Sequence, residues 1–143
     1  MHAQQISVFI ENKAGRLADV TRTLSEAGIN IRALALADTS DFGILRLIVS
    51  DNDGAEEALK AGGFTVRKTR VLAVEVPDRP GGLHEILARL NDSGINVEYM
   101  YAFVRQSSEN AIMIFRFDEP DAAVTALTEK GFSVIPGEKL YTL

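Results

Sequence analysis

The stretch Asn12–Leu17, with the sequence NKAGRL, recurs 66 residues later as DRPGGL over Asp78–Leu83. Each copy follows a short apolar run with β-branched residues, and each precedes a segment whose apolar residues have helical spacing. A glycine between a strand and a helix indicates a tight turn, because glycine adopts backbone conformations that other residues avoid. The chain therefore contains the same strand-turn-helix unit twice, and this duplication decides the fold.

The duplication extends over most of the chain. The sequence GINI at Gly28–Ile31 recurs as GINV at Gly94–Val97, again 66 residues later. After the central turn is lengthened by two residues, further positions recur in the same order: Ile44, Asp53, Ala55, Leu59, Gly63, Phe64 and Val66 as Ile112, Asp121, Ala123, Leu127, Gly131, Phe132 and Val134. A repeat this long is a whole small domain rather than a solenoid unit of about 20 to 50 residues. We predict two domains, over residues 1–70 and 71–143.

The hydrophobic pattern predicts the same element order in each copy: strand, helix, strand, strand, helix, strand. Leu17, Val20 and Leu24 have helical spacing, and the apolar run Ile44–Val49 is typical of a buried strand. The order βαββαβ predicts an α+β fold of two tandem ferredoxin-like domains, with antiparallel sheets and the helices on one face. Such a domain leaves one sheet face and one sheet edge uncovered, so we expect a homodimer.

Composition excludes several classes of protein. The 143 residues carry a net charge of −5 and no basic stretch, which speaks against nucleic-acid and anionic-membrane partners. No apolar run has the length of a membrane-spanning helix, and the N terminus lacks the pattern of a signal peptide. The chain has no cysteine, which excludes disulfides and thiolate metal sites and is typical of a cytoplasmic location.

The sequence offers little for catalysis. Its two histidines, His2 and His84, have no evident nucleophile partner, and no glycine-rich stretch matches a phosphate or dinucleotide loop. Acidic residues and histidines do not cluster at metal-ligand spacing. We therefore expect no enzyme activity, no catalytic residues, no cofactor and no metal. A small enzyme with its site between the two copies is the weakest alternative.

The two turn motifs, each followed by Gly-Ile-Asn, resemble the ACT domain, the small amino-acid-sensing module attached to many enzymes of amino-acid metabolism. The resemblance covers essentially the whole chain, once per copy. The chain is also similar to stand-alone tandem ACT proteins, which carry no catalytic domain. The resemblance implies a non-catalytic regulatory protein that binds a small free amino acid at interfaces between ACT copies. It further implies a regulated partner, which is a metabolic enzyme or another regulator.

The resemblance also implies where the ligand binds: the turn meets the start of the second strand of a paired copy. The implied residues are Asn12, Ala14, Gly15, Arg16, Leu17, Asn30 and Ile31 in the first copy, and Asp78, Pro80, Gly81, Gly82, Leu83, Asn96 and Val97 in the second. The chemistry is suitable, because the amides at a helix start favour a carboxylate by about 0.3–2 kcal/mol. An Asn or Asp before the glycine can accept hydrogen bonds from an ammonium group.

Two alternatives stay open at this point. The same turn occurs in ferredoxin-like folds that bind nothing there, and Asn30 and Asn96 would then satisfy local backbone groups after a helix. The protein would in that case be a ligand-independent assembly subunit of a metabolic enzyme.

The two turns also differ, since Asn12 and Ala14 correspond to Asp78 and Pro80. The copies are therefore expected to differ in affinity, or one of them to be silent.

Overall fold

The computed structural model of the chain describes residues 2–38, 41–103 and 109–143. Its contacts divide the chain into two compact units. The first unit is Gln4–Thr69; the second is Arg70–Leu143, joined by His2 and Ala3 from the N terminus. No helix in these three ranges is both long and apolar enough to cross a membrane.

The first unit follows the predicted element order. Its elements are β1 (Ala3–Glu11), α1 (Arg16–Glu26), β2 (Ile31–Asp38), β3 (Phe42–Val49), α2 (Asn52–Ala61) and the first residues of β4 (Thr65–Pro77). Strand β3 pairs antiparallel with β1 on one side and with β2 on the other. In this register Ile10 lies opposite Gly43, and Leu36 lies opposite Leu45.

The second unit repeats this order. Its elements are the remainder of β4, α3 (Gly82–Asp92), β5 (Val97–Ala102), β6 (Asn110–Phe117), α4 (Pro120–Glu129), β7 (Val134–Ile135) and α5 (Gly137–Leu140). Strand β6 pairs antiparallel with β4 and β5, and β7 pairs with β4. Val76 lies opposite Ala111, and Ala102 lies opposite Met113. Helix α5 was not predicted, because four residues are too few to show a helical period.

Each unit has its own hydrophobic core between one face of its strands and its two helices. In the first unit, Val20 and Leu24 of α1 and Leu59 of α2 are fully buried against alternate residues of β1 and β3. Burying a side chain of this kind contributes about 1.5–3 kcal/mol. The second unit has an equivalent cluster that includes Ile86 and Leu127. The predicted fold class, two tandem ferredoxin-like domains with antiparallel sheets, is confirmed.

Two acidic residues, Asp51 and Asp53, have different roles at the start of α2. Asp51 caps the helix, because its Oδ1 atom accepts a hydrogen bond from the amide of Gly54 at 3.1 Å. Asp53 instead accepts a hydrogen bond from Nζ of Lys68 at 2.6 Å. This bond holds the pKa of Asp53 below its usual value and raises the pKa of Lys68.

A candidate ligand site at the strand-to-helix turns

The first turn ends in a helix start that no side chain caps. Gly15 has a φ of 91°, the left-handed conformation that favours glycine, and it is the N-cap residue of α1. Its carbonyl accepts from the amide of Asp19 at 2.9 Å, and the amide of Arg16 donates to Lys13. Within the described residues, the amides of Leu17 and Ala18 have no acceptor. Unpaired amides at a helix start favour an anion.

The second turn repeats this geometry. Gly81 has a φ of 83° and is the N-cap residue of α3. Its carbonyl accepts from the amide of Glu85 at 3.0 Å, and the amide of Gly82 donates to Arg79 at 3.0 Å. No side chain caps this helix either, so the next two amides, at positions 83 and 84, lack an acceptor in the part of the chain that the structure describes. Both predicted turns therefore present paired donors.

The two turns differ in the residue after the left-handed glycine. At Gly82, an added Cβ would overlap the carbonyl oxygen of Pro77 and lie 3.0 Å from its carbon, so only glycine fits this backbone. The first unit has Arg16 at this position. Its guanidinium carbon lies 4.7 Å from the centroid of the Phe64 ring, and Nη1 lies 3.2 Å from a carboxylate oxygen of Asp19. Directly after its left-handed glycine, the first turn thus carries a basic side chain, whereas the second turn carries glycine.

The asparagines at the start of the second strands keep their side chains available. The backbone of Asn30 exchanges two hydrogen bonds with Ser50, each 3.0 Å long. The amide of Asn96 donates to Oδ1 of Asp118 at 3.1 Å. Both asparagines are exposed, and among the described residues their side-chain amides have no hydrogen-bond partner. Ser50 and Asp118, rather than the asparagine side chains, therefore satisfy the local backbone.

Within one unit, the implied site residues do not converge. Asn12 and Leu17 line a small cavity of about 70 Å³ beside the first turn. Asn30 and Ile31 line a separate, more open depression of about 370 Å³ beside the C-terminal end of α1. Within the first unit, the two sets of implied residues therefore do not share a cavity.

The remaining implied residues divide by exposure. Ala14, Gly15, Asp78, Pro80, Gly81 and Asn96 are exposed, whereas Gly82 is buried. Leu83 and Val97 are partly buried and pack against the core of the second unit, and Ile31 packs in the same way in the first. In the described part of the chain, no three His, Asp or Glu side chains are grouped so that they could hold a metal ion.

Comparison with known proteins identifies one family over the whole chain. The family model described as an ACT domain pair matches residues 1–143. The chain is similar to protein BT0572 from Bacteroides thetaiotaomicron, with 41% identity, a TM-score of 0.94, and coverage of 100% of this chain and 98% of that one. No curated protein sequence matches the chain.

Two further solved structures share the fold at lower identity. The regulatory subunit of aspartate kinase from Thermus thermophilus is 21% identical, with a TM-score of 0.61 and coverage of 91% of this chain and 93% of that one. Aspartate kinase from Synechocystis is 19% identical, with a TM-score of 0.60, and the match covers 95% of this chain and 28% of the kinase. At these identities the likeness concerns the fold alone.

Proposed function

Because the chain belongs to the ACT domain pair family, we propose that it is a non-catalytic regulatory protein that binds a free amino acid and modulates a partner protein. The observation that carries the proposal is the pair of uncapped helix starts. At each turn, two adjacent backbone amides have no acceptor among the described residues, and a left-handed glycine leaves the backbone open to close approach.

In the proposed complex, the α-carboxylate of the ligand accepts hydrogen bonds from the amides of Leu17 and Ala18. The side chain of Asn12, three residues before Gly15, accepts from the α-ammonium group. Arg16 stacks on Phe64 and pairs with Asp19, so the carboxylate of Asp19 offsets its charge, and the two backbone amides supply the main attraction for the ligand carboxylate. In the second unit, Asp78 takes the place of Asn12, and its charge favours the ammonium group more strongly.

The asparagine at the start of the second strand completes the site from a paired copy. Its side chain is exposed and has no hydrogen-bond partner in the described ranges, so a ligand is not in competition with the protein for its amide. Because the site needs a paired copy, the proposal includes a homodimer. It also includes a cytoplasmic location. Light scattering on a size-exclusion column tests the dimer: a single species at the 15.6 kDa of one chain contradicts it.

Regulation requires that the ligand binds two states of the protein with different affinity. A coupling of about 1–3 kcal/mol between ligand and partner changes the affinity for the partner roughly 5- to 150-fold. The fold is shared with a regulatory subunit of aspartate kinase, which supports an enzyme of amino-acid metabolism as the partner. Affinity capture of partners with and without the ligand tests this part.

A thermal-shift screen against the twenty amino acids at millimolar concentration, followed by calorimetry, tests the binding. A ligand at a hundredfold excess over its Kd stabilises the folded state by about 2.7 kcal/mol, which raises the melting temperature by several degrees. The variants Asn30→Ala and Asn96→Ala remove side chains without a partner, so they leave stability unchanged and weaken binding about 2- to 10-fold, as expected for one hydrogen bond. If no amino acid shifts the melting temperature, the chain is instead a ligand-independent assembly subunit.

A further inference from the structure

The cavity beside the first turn is built mainly from apolar groups. Ile10 of β1, Leu17 of α1 and Leu36 of β2 line it together with Gly43 of β3. Its polar lining comes from Glu11, Asn12, Lys13 and Asp38, and Lys13 forms an ion pair with Glu11 at 3.1 Å. The apolar part and the polar part of the lining therefore meet beside the position proposed for the ligand's α-carboxylate and α-ammonium groups.

The cavity exists because residue 43 has no side chain. A Cβ at Gly43 would lie 3.5 Å from Cδ1 of Leu36 and 3.7 Å from Cγ1 of Ile10, between two of the apolar walls. These are ordinary van der Waals distances, and Gly43 has no positive φ, so a methyl group is sterically allowed there. Gly43 thus leaves room for a methyl group between these walls.

The second unit fills the same position. Its register places Val76 opposite Ala111, as the first unit places Ile10 opposite Gly43. Residue 111 therefore supplies the methyl group that Gly43 lacks. Ala102, which lies opposite Met113, corresponds to Leu36, which lies opposite Leu45. The second unit thus lacks one of the large apolar walls as well.

The cavity is lined by apolar groups that are incompletely covered. Leu36 is 51% exposed and Leu17 is 38% exposed, although both contribute to the lining. An apolar group that enters the cavity removes its own surface and theirs from water. The cavity of about 70 Å³ has less than half the volume of a cavity of about 150 Å³ that holds benzene, so it suits about three or four carbon atoms.

We propose that the cavity lined by Ile10, Leu17, Leu36 and Gly43 holds the side chain of the bound amino acid and selects a short aliphatic one. The inference rests on the proposed function, because it places the ligand's backbone groups at the first turn. It assigns the ligand class to amino acids of the size of valine, leucine and isoleucine, and it assigns selectivity to the first unit. Among the described residues of the second unit, Ala111 occupies the space that Gly43 leaves open, and Ala102 lacks the apolar wall that Leu36 supplies.

Calorimetry on the whole chain with glycine, alanine, valine, leucine and phenylalanine tests the proposal. Each buried methylene lowers Kd about fourfold, so valine binds roughly 15-fold more tightly than alanine. Phenylalanine exceeds the cavity and binds more weakly than leucine. The variant Gly43→Ala places a methyl group in the cavity and weakens valine and leucine at least tenfold, while the affinity for glycine stays within about twofold.

Two further variants separate the subsite from the fold. Leu36→Ala removes a half-exposed wall and reduces the preference for valine over alanine. Ala111→Gly, the reverse change at the corresponding position of the second unit, leaves the affinity for valine unchanged, because Ala102 supplies no large apolar wall there. The subsite is refuted if an amino acid binds but glycine binds as tightly as valine, or if Gly43→Ala and Ala111→Gly have the same effect; the proposed function then stands. If none of the five amino acids binds, the subsite is refuted, and the screen against all twenty amino acids decides whether the proposed function stands.

Discussion

Replacement of Gly82 by alanine tests whether the carbonyl of Pro77 leaves no room for a side chain at the second turn. The added Cβ would overlap the carbonyl oxygen of Pro77 and lie 3.2 Å from its Cβ. The obstacle is backbone rather than the end of a flexible side chain, so the start of α3 must move. The neighbouring change Gly81→Ala meets no atom within 4 Å and costs only the left-handed conformation at φ 83°.

The two substitutions therefore have different physical costs. Overpacking at Gly82 costs about 1–3 kcal/mol, with larger values where backbone must shift. The left-handed alanine at position 81 costs about 1–2 kcal/mol. In a chain of this length about 1 kcal/mol lowers the melting temperature by roughly 3 °C, so Gly82→Ala lowers it by about 3–10 °C. Differential scanning calorimetry measures both changes.

The first unit provides the control. Arg16 occupies the position of Gly82 and already has a Cβ, so Arg16→Ala loses only its stacking on Phe64, about 0.5–1 kcal/mol, and its ion pair with Asp19. A melting temperature of Gly82→Ala within about 1 °C of the original chain would show that the helix start accommodates a side chain. The contrast between the two turns would then have no steric basis.

Three further predictions concern stability. Leu24→Ala removes a fully buried core side chain and lowers the free energy of unfolding by about 2–5 kcal/mol, measured by chemical denaturation. Asp51→Ala removes the cap of α2 and lowers the free energy of unfolding by about 1 kcal/mol in the same assay. An unchanged free energy of unfolding would contradict the capping hydrogen bond from the amide of Gly54. Lys68→Met raises the pKa of Asp53 towards its usual value in a carboxyl NMR titration. Because the folded pKa of Asp53 is depressed, its ionised form stabilises the folded state above the unfolded pKa, and this contribution is lost as the pH falls through the folded pKa. A pKa of Asp53 that is the same with and without Lys68 would contradict the pairing.

Much of the fold could be predicted because the sequence states it twice. The turn glycines, the helical spacing and the apolar strands recur at an offset of 66 residues before the central turn and 68 after it, so each copy supports the interpretation of the other. The bounds of short elements could not be predicted. Strand β7 has two residues and α5 has four, and neither is long enough for a period to be visible. The pairing of Asp53 with Lys68 could not be predicted either, because the two residues lie in different elements, 15 positions apart.

The turns of the candidate site could be predicted, but the cavity beside the first turn could not. The exposed glycine and the uncapped helix start are local features, and the sequence shows them. The cavity depends on Gly43 lying opposite Ile10 and on Leu36 lying beside it, which only the strand register determines. The stacking of Arg16 on Phe64 likewise joins residues that are far apart in the chain. Ser50 and Asp118 recur at the same offset as the other repeats, so their shared role at the asparagines was visible in principle.

The carbonyl of Pro77, which leaves no room for a side chain at residue 82, also makes the two turns differ in the substitutions that they tolerate. Residue 16 tolerates a side chain, so single codon changes there can alter the charge next to the first pair of amides. At residue 82 every substitution adds a Cβ that strikes the carbonyl of Pro77. A single substitution can therefore retune the charge beside the first pair of amides, whereas at the equivalent position of the second turn the backbone permits only glycine.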